Sequence, residues 1–164
     1  MINITLKDGL KKQYKSPLTG KDIASSISPN LAKEAIVIKV DEKLMDLSQI
    51  IENDCKVEII TKKSTEALEI IRHDAAHIMA EAVQDLFPNT QVTIGPPIKD
   101  GFYYDFDRKE SFLQDDFIKI ENKMNEIIKK NESFTREVWS KEKAIKYFKN
   151  KKEKYKVELI EDLK

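Results

Sequence analysis

The chain has 164 residues, 40% of them hydrophobic and 35% charged, with 29 basic residues balancing 29 acidic ones. That length holds one ordinary domain or two small ones, and zero net charge supplies no global attraction to nucleic acid or an anionic membrane. Cys55 is alone, which excludes an internal disulfide framework, and no stretch approaches the ~20 apolar residues of a membrane span.

Residues 1 to 62 alternate strand signals with one short helix. Ile2, Ile4 and Leu6 alternate with polar residues and run into Asp8-Gly9, a turn signal, followed by a second strand through Tyr14. Thr19-Gly20 opens a helix with Ile23, Ala24 and Ile27 on one face, which Pro29 and Asn30 are expected to stop. Ala35 to Val40, a short piece around Leu44 to Leu47, and Val57 to Ile60 supply further strands. The order predicts a small β-grasp, ubiquitin-like domain over residues 1–62.

A polar linker, Thr61 to Thr65, precedes a long helix that Ser64 or Thr65 can cap and that Pro88 ends. Its apolar positions, Leu68, Ile71, Ala75, Ile78, Met79, Ala82 and Leu86, form one stripe at helical spacing. Val92 to Ile94 and Phe102 to Phe106 read as paired strands, with Phe102, Tyr104 and Phe106 on one face. Leu113, Phe117, Ile120, Met124, Ile127 and Ile128 trace a second amphipathic helix ending near Asn131. A strand near Glu137 to Trp139, a helix capped by Ser140 and a strand from Tyr155 to Ile160 follow. Residues 63–164 thus read as α+β, with helices packed on an antiparallel sheet, and the fold class of the whole chain is α+β.

His73 and His77 are the only histidines. Four residues apart on a helix, they project from one side, nearly opposite the apolar stripe and with Ala76 and Ala80 as close neighbours. Two imidazoles on a non-core face suit the lining of a cleft. They are also half of a zinc site of the H-E-x-x-H kind, but the run here is H-D-A-A-H, and no third ligand accompanies it. There is no G-x-S-x-G elbow and, with four glycines in all, no phosphate cradle. Eight lysines between Lys141 and Lys156, against Glu142 and Glu153, are able to track a phosphate backbone or to form a solvated face. Because lysine dominates the basic residues throughout (only Arg72, Arg108 and Arg136 are arginine), that stretch carries reduced weight. Lys156 stands apart as the start of an apolar segment, placed to orient a carbonyl or a water beside the histidines.

Three blocks, I-I-R-H-D-A-A-H-I-M-A-E-A-V-Q-D-L-F-P, I-G-P-P-I-K-D-G-F-Y-Y-D-F and Y-K-V-E-L, closely resemble bacterial threonyl-tRNA synthetases in sequence and in order. The first 60 residues, with D-I-A-S-S-I and L-A-K-E-A, resemble the TGS module of that family. The resemblance implies an amino-terminal piece of such an enzyme: a TGS-like domain at 1–62, then the first part of the tRNA editing domain at 63–164. It implies that the intact protein attaches threonine to tRNA(Thr) in the cytoplasm, using ATP and magnesium with a zinc ion in a later catalytic domain. The intact enzyme is then a homodimer through domains beyond this sequence. It further implies hydrolysis of mischarged seryl-tRNA(Thr), with His73, His77 and Lys156 catalytic and Tyr104 shaping the substrate pocket. The family completes that pocket with a later C-x-x-x-H pair, which lies beyond this sequence, so the editing domain is expected to be incomplete here. No metal ligand is expected within these residues and no membrane partner. A non-catalytic RNA-binding or regulatory module and a metal-dependent hydrolase are the alternative readings.

Overall fold

The computed structural model describes residues 1–132 and 135–163. The elements in chain order are β1 (Ile2–Leu6), β2 (Lys11–Tyr14), β3 (Leu18–Thr19), α1 (Gly20–Ile27), α2 (Pro29–Glu34), β4 (Ala35–Val40), β5 (Lys43–Met45), β6 (Ile50–Ile51) and β7 (Cys55–Thr61). Then come α3 (Thr65–Leu86), β8 (Gln91–Val92), β9 (Pro97–Ile98), β10 (Gly101–Phe102), β11 (Phe106–Asp107), α4 (Gln114–Lys130), α5 (Lys141–Asn150) and α6 (Lys154–Glu161). Contacts divide the chain into two compact units, Met1–Ile71 and Arg72–Lys164, so the division falls inside α3.

The first unit is built on a five-stranded sheet in the order β2-β1-β7-β4-β5. β1 pairs antiparallel with β2 and parallel with β7, which places the first and last strands side by side at the centre. That parallel central pair, with a helix between its strands in sequence, is the β-grasp arrangement. Asp8 makes the hairpin turn by accepting the Leu10 N–H at 2.9 Å, and Gly9 supplies a φ of 86°. Alternation does the rest: Ile2, Ile4 and Leu6 face inward with Leu18, Ile23, Ile38, Ile51 and Val57. Each such side chain contributes about 1.5–3 kcal/mol by leaving water.

Helix α1 starts at a reciprocal cap. The Thr19 hydroxyl accepts the Asp22 N–H at 3.2 Å, while the Asp22 carboxylate accepts the Thr19 N–H at 2.8 Å. Pro29 does not merely end α1. It occupies the first turn of a second helix, α2, where it lacks an N–H that would have no partner anyway, and Ser28 caps that helix through its hydroxyl. Ser64 caps α3, accepting the Ala67 N–H at 3.3 Å, and Ala67 packs with Val37 and Ile60.

In the second unit, Ala82, Val83 and Ile120 form the buried centre. Met79, Leu86, Phe87, Phe106, Phe112, Met124 and Ile127 pack around them. Asp116 accepts the Leu113 N–H at 3.0 Å at the start of α4, and Asn131, with a φ of 49°, ends it. Leu113, Phe117 and Ile128, expected on the buried stripe of α4, are exposed.

Two sequence expectations fail here and a third is met in part. The predicted strand from Tyr155 to Ile160 is helix α6. The alternation of Lys156, Glu158 and Ile160 with Val157 and Leu159 is too short to distinguish the two periods. Val157 is buried but Leu159 is 51% exposed, so no strand face exists, and α5 supplies the packing partner. Glu137 to Trp139 form no regular element. The expected pairing of Val92–Ile94 with Phe102–Phe106 is met at one end, where Val92 pairs with Phe106 and both Thr93 and Ile94 bond the Asp105 backbone, whereas Phe102 pairs with Pro97 of β9 instead. Pro96 and Pro97 lack the N–H groups a longer ladder needs.

Ile38 is fully buried in the first unit, with Gly20 so close that a β-carbon there would stand 2.8 Å from Ile38 Cδ1. Ile38→Ala is therefore expected to cost about 2–5 kcal/mol, read as a lower urea midpoint at unchanged m-value. A loss under 1 kcal/mol would show that the site collapses freely.

Candidate functional site

Helix α3 brings His73, His77, Ala80 and Gln84 to one line by spacings of four, three and four. Ala76 and Ala80, on the margin of that line, are buried at 1% and 6% exposure, whereas Leu68 and Ile71 of the predicted stripe are exposed. The helix thus packs closely beside its histidine face, through its smallest side chains.

The two imidazoles are in contact. His73 Nε2 and His77 Nε2 lie 3.0 Å apart, with ring centroids at 4.6 Å and planes at 79°. One nitrogen donates and the other accepts, an arrangement that a second proton would abolish. Burial lowers the pKa of His77 from its ordinary value, and His73 adds to that effect. Asp74 opposes it, and the Lys156 ammonium reinforces it. The shift favours the neutral imidazole, the form able to accept a proton.

Lys156 reaches this place from α6, not from a strand. Its ammonium lies 5.4 Å from the centroid of the Phe148 ring. The Lys156 charge is felt at His77, where it disfavours the added proton.

Tyr104 enters by another route. Its ring stacks on Phe106 with centroids 5.0 Å apart. The ring also covers Gly95 so closely that a β-carbon at position 95 would stand 2.1 Å from Tyr104 Cδ2. Burial raises the Tyr104 pKa, and the carboxylate of Glu153 adds to it. Glu153 in turn accepts a hydrogen bond from Gln84 at 2.6 Å. Gly95, Gln84 and Glu153 were not singled out from the sequence. Only Gln84 left a trace there, seven residues beyond His77 on the same helical line.

Comparison with known proteins follows the geometry. Residues 2–61 match the TGS domain model. The chain is 56% identical over 163 residues to the threonine–tRNA ligase of Granulibacter bethesdensis, covering 99% of this chain and 25% of that protein. It is 55% identical to those of Acidiphilium cryptum, over 163 residues (99% and 26%), and Pelagibacter ubique, over 160 residues (98% and 25%). The chain is similar to the amino-terminal region of threonine–tRNA ligases. It spans about a quarter of the length of the relatives it matches.

No group of three or more His, Cys, Asp or Glu side chains suited to a metal ion occurs among the described residues. Cys55 lies in the first unit, where burial, then Asp41 and Asp54, raise its thiol pKa and keep it protonated. No helix among the described residues is long and apolar enough to cross a membrane.

Much of the lysine-rich stretch is engaged locally. Lys141 donates to the Glu161 and Leu163 carbonyls at 2.8 and 2.7 Å, Lys149 pairs with Glu161 at 3.2 Å, and Lys154 pairs with Asp107 at 2.7 Å. A cavity of about 610 Å³ lies between residues 86–91 and 107–110, away from the histidine pair.

Two outcomes follow from this geometry. In an NMR titration, the His77 midpoint is expected below the ordinary ~6.5, and Lys156→Ala is expected to raise it. Because the folded pKa is depressed, the stability linked to His77 is complete above the unfolded value and is lost as pH falls through the folded one. A midpoint at or above 6.5 would contradict the packing seen around the ring. Gly95→Ala is expected to displace Tyr104 and destabilise the chain by about 1–3 kcal/mol. Adding Tyr104→Ala should relieve part of that loss in a double-mutant cycle, whereas simple additivity would mean the two sites do not touch.

Proposed function

We propose that this sequence belongs to a cytoplasmic protein that attaches threonine to tRNA(Thr) with ATP. Residues 63–164 then form part of its proofreading module, which hydrolyses seryl-tRNA(Thr), and residues 1–62 are its TGS domain. The observation that carries the proofreading reading is the 3.0 Å contact between His73 and His77, with the Lys156 charge felt at His77, in a chain so similar to threonine–tRNA ligases. ATP, magnesium and zinc serve the aminoacylation step in other parts of the intact protein, which we take to be a homodimer.

The need for a second site is energetic. Serine lacks only the methyl group of threonine, a difference worth about 1–3 kcal/mol in a binding pocket, so a single site discriminates weakly. A separate hydrolytic pocket that admits serine and crowds the methyl supplies the rest. Tyr104, held flat over Gly95, forms one wall of that pocket.

The reaction is ester hydrolysis. A water attacks the seryl carbonyl carbon, the bond from that carbon to the ribose oxygen breaks, and serine leaves with the terminal hydroxyl restored. His77, held neutral, accepts the hydrogen bond of the attacking water, and His73 fixes its ring through the Nε2 contact. Lys156 holds the seryl group or the terminal ribose and places positive charge near the oxyanion that develops.

The test uses the full-length protein and pre-charged seryl-tRNA(Thr). Single substitutions His73→Ala, His77→Ala and Lys156→Ala are each expected to slow deacylation by about 10²–10⁴-fold, with circular dichroism reporting the fold. Undiminished deacylation in all three variants would overturn the assignment. Retained tRNA binding without any deacylation by the wild type would favour the RNA-binding module instead.

A further inference from the structure

Lys156 sits in the first turn of α6, so its position depends on what fixes the start of that helix. Glu153 immediately precedes α6 and is held on three sides. Its N–H donates to the Phe148 carbonyl at 3.0 Å, at the end of α5, and its own carbonyl accepts the Val157 N–H at 3.1 Å. Its side chain crosses to α3, where Oε1 accepts from Gln84 Nε2 at 2.6 Å. Gln84 is itself steadied by a longer bond, 3.4 Å, to the Thr90 carbonyl. Other side-chain bonds at this turn run to β8 and β11: Lys154 N–H to Gln91 Oε1 at 3.1 Å and the Tyr155 hydroxyl to Asp107 at 2.9 Å. Among the described residues, the Gln84–Glu153 bond is the one side-chain hydrogen bond joining α6 or its cap to the helix that carries the histidines.

The carboxylate has a second peculiarity. Glu153 Oε2 is buried without a hydrogen-bond partner. A buried charged oxygen left unpaired is costly, so a residue chosen only to stabilise this junction would sooner be an amide or an apolar group.

We propose that Glu153 is a positioning residue: clamped by Gln84, it holds the first turn of α6, which carries Lys156, against the helix that carries His73 and His77. A 22-residue helix serves as the common ruler, since Gln84 and His77 lie on one line seven residues, about 10 Å, apart.

The experiment is the NMR titration of His77 in the full chain. The groups that set its midpoint are His73, Asp74 and Lys156. Gln84→Met removes the donor with no change of charge. It is expected to raise the His77 midpoint to the value found in Lys156→Ala, and to add nothing further when the two substitutions are combined. The reciprocal swap Gln84→Glu with Glu153→Gln keeps one carboxylate and one amide at the junction. It is expected to restore the wild-type midpoint. A wild-type midpoint in folded Gln84→Met would overturn the proposal. If that variant does not fold, a folded swap variant showing the Lys156→Ala midpoint overturns it equally.

The consequence for catalysis rests on the proofreading reading, and a second assay separates the two. In full-length protein, Gln84→Met and Lys156→Ala should reduce deacylation of seryl-tRNA(Thr) non-additively, chiefly in kcat. Should the titrations behave as expected while deacylation is unaffected, the positioning role stands and the proofreading assignment fails.

Discussion

An α-helix returns every third or fourth side chain to the same line, and α3 uses that line for two histidines and the glutamine that grips Glu153. The other groups of the candidate site reach this line from elements far away in sequence. Lys156 arrives on α6, and Tyr104 from the loop between β10 and β11 is linked to the line through the Glu153 charge. Such a site tolerates little rotation of the helix, because 100° per residue would carry the imidazoles from the surface into the core. Buried Ala76, Ala80, Ala82 and Val83 fix that rotation by close packing on either side.

The imidazole pair illustrates how packing sets chemistry. Partial loss of water, a second imidazole at 3.0 Å and a lysine nearby all disfavour the extra proton on His77. Asp74 pulls the other way without a hydrogen bond to either ring. The result is a base that remains a base.

Legibility in the sequence followed the range of the signal. The hairpin at Asp8-Gly9, α1, the strands at 35–40 and 57–60, and the helix carrying the histidines were readable because their patterns are local and several turns or pleats long. His73 and His77 were readable because helical spacing alone places them together. Helix α6 was not, since five residues of alternating pattern fit a strand or a helix equally well, and the choice was made by α5 packing against Val157. Helix α2 was missed because a proline after a helix looks like a stop, although the same proline suits the first turn of the next one. Gln84 and Glu153 are separated by 69 residues, and no spacing rule brings them together. The approach of Gly95 to Tyr104 likewise exists only once two loops have folded over each other.

The order of the five-stranded sheet leaves β2 and β5 as its edges. Open strand edges offer unpaired backbone groups to any other extended chain, and so invite sheet-to-sheet polymerisation. Here the edges are short and carry Lys11 and Lys12 on one side and Lys43 on the other. A second copy approaching in extended register would have to bring like charges together and strip their water. The lysine richness of this chain, which obscured any single basic site, thus acts at these two strands as a guard against fibrous self-association.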